Sequence, residues 1–379
     1  MHAAHDYKQS LISRPASLRK LVDQLSSESI LAVDTESNSL FAYQEQVCLI
    51  QFSSSQDDFL VDPLGLDDLS PLNELFSNTR IEKVFHATEY DLITLKRDFG
   101  FKFENLFDTM VAARILGWKE VGLGSILQKE FGVQLNKRYQ RANWGKRPLT
   151  VEMMDYARQD THYLIPLRHK LKVELKASGR WPIAEEDFNR LRFVNGRTNG
   201  ESIDACWKVR GSYDIPPRQA AVLHELCVYR EMTAKTMDVP VFKVIGDEAL
   251  LGIAASCPTD PEALAASETL SHKQLLRHQE GVLEAVQRGL QSPLKYPPRN
   301  ARPDDAYLER LEALRNWRKH TAQRMGVTSD IVLPRDVLYK IAAKNPTSLD
   351  ELGEAMALVP WRLENFGGQI LQVLNKQAN

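Results

Sequence analysis

Cysteine is scarce in this 379-residue sequence: Cys48, Cys206, Cys227 and Cys257 form neither a CxxC pair nor a dense framework. That excludes a zinc ribbon and a disulfide-stapled scaffold, and the expectation is a reduced, cytoplasmic protein. Long apolar runs are also missing. No stretch of about eighteen residues is free of charge, so no membrane span is expected. Met1 to Ser10 lacks the apolar centre of a signal peptide. Net charge is nearly absent at −2, which argues against a surface that is basic throughout. What remains, 43% hydrophobic and 26% charged, is ordinary globular composition, with length for at least two cores at about 150 residues each.

The near-neutral total hides an asymmetry. Residues 1–136 carry roughly −8 and residues 137–197 roughly +7. An acidic lobe followed by a basic one suits clustered carboxylates beside a surface that meets phosphate. The first third alternates β-rich runs with helical patterns. Residues 30–33, 47–52 and 58–61 read as strands of an antiparallel meander, 83–85 and 105–107 as further strands, and 72–76 and 92–99 as helices. Helical periodicity then runs over 109–117 and 123–131, and from an N-cap at Thr150 to Leu175. The architecture implied is a mixed α/β layer.

Beyond Gly211 the β-rich runs stop, and Pro216-Pro217 opens a helical region. Moving the segment from Leu223 onto that from Leu311, an offset of 88, aligns Leu226 with Leu314, Arg230 with Arg318, Thr233-Ala234 with Thr321-Ala322, Met237 with Met325, and Ile253-Ala254-Ala255 with Ile341-Ala342-Ala343. Two copies of one small helical domain account for that register. The stretch between them, with Pro297, Pro298 and Pro303, reads as a semi-rigid linker. The expected division is 1–212 for the α/β domain, 213–293 and 305–379 for the copies, and 294–304 for the linker.

Asp34-Thr35-Glu36 stands at the end of an apolar strand. Residues two apart on a strand face the same side, so Asp34 and Glu36 present their oxygens together, an arrangement a shared divalent cation would stabilise. The solvent face of an edge strand would explain the pair equally well. Asp91 falls in the first turn of a helix, where the dipole alone favours it. Tyr156 and Asp160 lie one turn apart on a later helix and share a face, which also suits a plain buried hydrogen bond. Together, four carboxylates and a phenol fit a two-metal phosphodiester site, because hard oxygen ligands hold Mg²⁺ or Mn²⁺.

Asp34-Thr35-Glu36, Phe85-His86-Ala87-x3-Asp91-Leu92, Phe107-Asp108-Thr109 and Tyr156-Ala157-x2-Asp160 resemble, in order, the motifs of the DEDDy 3′-to-5′ exonucleases, and most nearly those of the ribonuclease D family. The repeated helical module resembles the HRDC domain, so the resemblance covers nearly the whole chain. The segment 156–164 also resembles the exosome-associated relatives of that family. The resemblance implies an RNase H-like (DnaQ-like) exonuclease domain followed by two all-α HRDC-like domains. It further implies that Asp34, Glu36, Asp91 and Asp160 hold two divalent ions, that Tyr156 orients the attacking water, and that Glu36 meets the terminal 3′-hydroxyl. The implied reaction releases 5′-mononucleotides from RNA 3′ ends, with tRNA precursors carrying 3′ trailers as the substrate. His86 and His162 are set aside as bases, since the general-base position of this branch falls at Tyr156.

Lys137, Arg138, Arg141, Lys146 and Arg147 occur without an intervening acid and are interleaved with Tyr139 and Trp144. Basic residues with aromatics are how single strands are gripped, and these residues, with Thr35, are the candidate RNA contacts. A loop whose Trp144 packs back on the long helix is the alternative. The helical copies lack a catalytic cluster and read as RNA-positioning modules; Arg315, Arg318, Lys319 and Arg324 are candidates on one helix. With no heptad pattern, a monomer is expected. A DEDDy exonuclease acting on DNA and a catalytically silent RNA-binding adaptor remain open as rivals.

Overall fold

The computed structural model describes residues 11–195, 203–298 and 303–376. The stretch Met1 to Ser10 and linker positions 299–302 lie outside the described residues. The chain runs β1 (Leu11–Ile12), α1 (Pro15–Leu25), β2 (Ile30–Ser37), β3 (Val47–Ser53), β4 (Asp58–Val61), α2 (Leu72–Phe76), β5 (Glu82–Phe85), α3 (Glu89–Phe99), β6 (Leu106–Asp108), α4 (Thr109–Leu116), α5 (Leu123–Phe131), α6 (Val151–His162), α7 (Leu164–Ala177) and α8 (Trp181–Leu191). The six strands form one sheet in the order β1-β4-β3-β2-β5-β6. β3 and β4 are antiparallel, whereas β1 with β4, β2 with β5 and β5 with β6 are parallel. β4, β3 and β2 thus lie side by side as a meander requires, and β5 and β6 extend the sheet through helical crossovers.

Strand alternation sends β2 side chains to two cores. Leu31 and Val33 join Leu18 and Leu21 of α1, Leu75 and Phe76 of α2, and Leu92 and Leu95 of α3. Ala32 joins Val84, Phe107, Ala112 and Ile115 of α4, Leu167 and Leu171 of α7, and Phe188 of α8. Helices therefore cover both faces. A third cluster under α6 gathers Cys48, Leu49, Leu60, Trp144, Leu149, Met153 and Ala157. The single helix expected from Thr150 to Leu175 is instead α6 and α7, broken at Tyr163 (φ −96°, ψ −1°). Pro166 explains the break: it has no N–H, and its ring would clash with the carbonyl of residue 162 in a continuous helix.

Both C-terminal copies have five helices in the same order. The first has α9 (Pro217–Met237), α10 (Val241–Val244), α11 (Asp247–Ser256), α12 (Pro261–Ala266) and α13 (His272–Gln291); the second has α14 (Asp305–Met325), α15 (Ser329–Val332), α16 (Arg335–Lys344), α17 (Leu349–Ala355) and α18 (Pro360–Asn375). Each encloses its own apolar core. The described residues fall into two compact units: 11–36, 47–195 and 303–376 form one, and 37–46 with 203–298 the other. In the second unit Cys206 and Cys227, read from the sequence as reduced thiols, lie side by side with Cα atoms 5.9 Å apart. Their separation of 21 residues carries no pairing signal.

In the first unit, the second helical copy is anchored to the α/β domain by buried charge. Arg362, fully buried, is held by Glu186, by both oxygens of Asp187 at 2.9 Å and by the carbonyl of Ile331. Arg180 bridges the carbonyls of Ile115 (2.7 Å) and Met325 (2.5 Å). Gly117 ends α4 at φ +83°, where any side chain would collide with the carbonyl of Gly326. Only glycine meets both demands.

Candidate active site

Three elements deliver the candidate residues. β2, an interior strand between β3 and β5, carries Asp34 and Glu36 on the face of Ala32 and Thr35 on the opposite one. α3 begins after a turn in which Ala87 adopts φ 61°, and Asp91 stands in its first turn, 7% exposed. The Thr35 hydroxyl donates to Asp91 Oδ1 at 2.5 Å, linking β2 to α3. α6 is capped by Thr150, whose oxygen accepts from Met153 N at 3.3 Å. One turn separates Tyr156 from Asp160, and the phenol donates to the carboxylate. Next to Asp160, the Thr161 hydroxyl meets Ser53 Oγ at 2.6 Å, fastening α6 to β3.

The electrostatics are those of uncompensated negative charge. Burial, then the charges of Asp91, Asp160 and Glu36, hold Asp34 well above the carboxylate range, and burial with Asp160 and Asp91 does the same to Glu36. Burial pushes Asp91 and Asp160 up to about 7. The Tyr156 phenol is raised by burial and by Asp160, Glu36 and Asp34. Among the described residues, no Lys, Arg or His forms an ion pair with any of the four carboxylates. Buried charges of one sign are costly unless paired or bound to metal. An all-carboxylate donor set fits a hard divalent cation such as Mg²⁺ or Mn²⁺, and not a soft one. As the side chains stand, no group of three or more His, Cys, Asp or Glu among the described residues is close enough to hold a metal ion; what places the four together is the effect of their charges on one another.

The basic loop divides. Lys137, Arg138, Arg141 and Lys146 are exposed. Trp144 is not available for base stacking: it is 1% exposed and lies 5.9 Å, ring to ring, from Tyr156. The Arg147 side chain is 26% exposed, yet its guanidinium is committed to protein partners. Its guanidinium grips Asp62 at 2.6 and 2.8 Å and the carbonyls of Cys48, Trp144 and Lys146 at 2.7 to 2.9 Å. The Thr35 hydroxyl is engaged with Asp91 rather than turned to solvent. His86 Nδ1 meets Thr109 Oγ1 at 2.9 Å, and His162 pairs with Asp58 at 2.9 Å; burial lowers the first and Asp58 raises the second. Sequence reasoning missed Asp62, whose only cue is its conversion of one loop arginine into an anchor 85 residues away.

Comparison with known proteins identifies the family. A 3′-5′ exonuclease family model matches residues 10–176, and the HRDC domain model matches residues 219–286 and 308–374. Ribonuclease D of Nitrobacter hamburgensis is 30% identical over 376 residues, covering 97% of this chain and 95% of that protein. The chain belongs to the ribonuclease D family. It is accordingly a metal-dependent 3′-5′ exoribonuclease, a hydrolase of phosphodiester bonds on a DnaQ-like fold. The crystal structure of Escherichia coli RNase D, described as an exoribonuclease involved in structured RNA processing, superposes with a TM-score of 0.70 at 25% identity, over 97% of this chain and 98% of that one. The exosome complex exonuclease RRP6 of Saccharomyces cerevisiae is 32% identical over 258 residues, 64% of this chain but 35% of its own length. No helix among the described residues is long and apolar enough to cross a membrane.

Proposed function

We propose that this exoribonuclease trims the 3′ ends of tRNA precursors, releasing one 5′-mononucleotide at a time, with two divalent cations, Mg²⁺ or Mn²⁺, held by Asp34, Glu36, Asp91 and Asp160. The observation that carries the reading is the gathering of four carboxylates from β2, α3 and α6 without a cationic side chain to neutralise them. When bound, the cations supply water activation and neutralise charge on the phosphodiester. The protein's own groups arrange the rest. A phenol is a poor base near neutral pH, so the Tyr156 hydroxyl orients the attacking water while the cations carry its activation. Thr35 fixes one oxygen of Asp91, and Glu36 accepts from the terminal 3′-hydroxyl. Lys137, Arg138, Arg141 and Lys146 draw in the phosphates of the 3′ strand.

In this reading residues 1–212 form the exonuclease domain, 213–293 and 305–379 are HRDC-like RNA-positioning modules joined by 294–304, and the enzyme works as a cytoplasmic monomer. The test is a 5′-labelled precursor tRNA with a short 3′ trailer and a DNA of the same sequence, each incubated with Mg²⁺, Mn²⁺ or chelator, alongside Asp34→Asn protein. Stepwise shortening of the RNA that requires metal and Asp34 and stops near the mature end is expected. Equal shortening of DNA would remove the RNA assignment, and tight RNA binding without shortening would favour an adaptor.

A further inference from the structure

Asp108 ends β6 and begins α4, and its carboxylate is 1% exposed. Oδ1 accepts from Met110 N at 2.8 Å and Val111 N at 3.0 Å, which caps α4 in the ordinary way. The same oxygen also accepts from Ala87 N at 3.2 Å, and Oδ2 accepts from Thr88 N at 2.8 Å. Ala87 and Thr88 belong to a different element, the turn from β5 into α3. Ala87 holds φ 61°, a left-handed conformation that a residue with a side chain avoids unless its surroundings impose it. Thr88, the residue before α3, makes no side-chain cap of its own. Asp108 thus meets the two N–H groups that immediately precede the first residue of α3. Thr109 adds to the clamp, its hydroxyl donating to the carbonyl of Phe85 at 3.0 Å and meeting His86 Nδ1 at 2.9 Å.

Capping α4 needs one acceptor, which serine would supply. The two further bonds serve the turn that launches α3. We propose that Asp108 is a positioning residue for Asp91: it pins the Ala87-Thr88 turn, and thereby sets the Asp91 carboxylate against Thr35 and the other three carboxylates. This rests on the reading that Asp91 holds a cation. Asp91 lies three residues past Thr88, about 4.5 Å along the helix axis, so a shift of the turn passes directly to its carboxylate. A misplacement of about 1 Å in such a site costs about 100-fold in rate.

Asp108→Ser in the full chain separates the two roles, because a serine hydroxyl reaches Met110 and Val111 but not Ala87 and Thr88. The expected result is a melting temperature a few degrees below wild type, since two N–H groups lose their acceptor, an RNA affinity in chelator equal to wild type, Mn²⁺ affinity by calorimetry down about 10-fold, and kcat, measured well below the melting transition, down about 100-fold with KM little changed. Wild-type Mn²⁺ affinity and kcat would overturn the proposal, as would losses that merely track a lower melting temperature and weaker RNA binding. Asp108→Asn guards against misfolding of the serine variant. It preserves the shape and the Oδ1 acceptor but turns an NH₂ group towards Thr88 N–H, so Mn²⁺ affinity is expected to fall several-fold, and an unchanged affinity overturns the proposal. Wild-type protein that binds no Mn²⁺ would overturn the cation reading and this proposal with it, a failure distinguishable because it appears without any substitution.

Discussion

Asp91→Asn should stabilise the metal-free protein while abolishing its activity. The Asp91 carboxyl is held at about 7 against an ordinary 3.8. At 1.36 kcal/mol per pKa unit, that difference means about 4 kcal/mol of folding free energy is lost once the group is ionised. The folded-state value lies above the unfolded one, so the folded chain binds more protons between about pH 4 and 7, and stability falls as pH rises through that window. Asparagine keeps the shape and still accepts from Thr35, but it removes the charge. Burial of the amide, and relaxation of Asp34 as its neighbour changes, leave about half of the gain, about 2 kcal/mol. That corresponds to about 4 to 8 °C in melting temperature for a unit of this size. The assay is thermal unfolding in excess chelator at pH 8 and pH 5. At pH 5 the wild-type carboxyl is already protonated in the fold, so the advantage should shrink to about a third. A variant that melts at or below wild type at pH 8, or whose advantage does not depend on pH, would refute the argument that burying the Asp91 charge, with Asp108 beside it, destabilises the metal-free fold. Addition of Mn²⁺ should reverse the order, raising the melting point of wild type more than that of the variant.

Three further outcomes follow from the same geometry. Tyr156→Phe keeps the ring against Trp144 but loses the donor to Asp160, so single-turnover rates should fall about 10- to 100-fold with melting temperature and RNA affinity held. Arg147→Ala strips Asp62 and three carbonyls of their partner and should cost about 2 kcal/mol in denaturant unfolding, whereas Ala at Lys137, Arg138, Arg141 and Lys146 together should leave stability alone and flatten the salt dependence of RNA binding. Arg362→Ala leaves Glu186 and Asp187 without their buried partner and should destabilise by about 3 to 5 kcal/mol, seen as early proteolysis between α8 and α14; unchanged resistance would show that this charge cluster does not hold the second helical copy in place.

Local pattern made a large part of the molecule legible. Alternation placed Asp34 and Glu36 on one strand face, the i, i+4 rule placed Tyr156 over Asp160, and an offset of 88 residues revealed the duplicated helical module, because each depends only on near neighbours or on self-similarity. Pro166 was a local cue too, and it breaks the long helix that hydrophobic periodicity alone would have continued. What the tertiary structure alone decided are the partners across strands and helices. The strand order brings Asp34 and Glu36 towards Asp91 and Asp160; tertiary packing buries Trp144 and pairs the Arg147 guanidinium with Asp62. It also joins Asp108 to a turn 20 residues upstream and sets Arg362 between Glu186 and Asp187. A residue's type and spacing determine what chemistry it can offer, whereas whether that chemistry faces substrate, solvent or another part of the fold depends on non-local packing, which no short-range periodicity encodes.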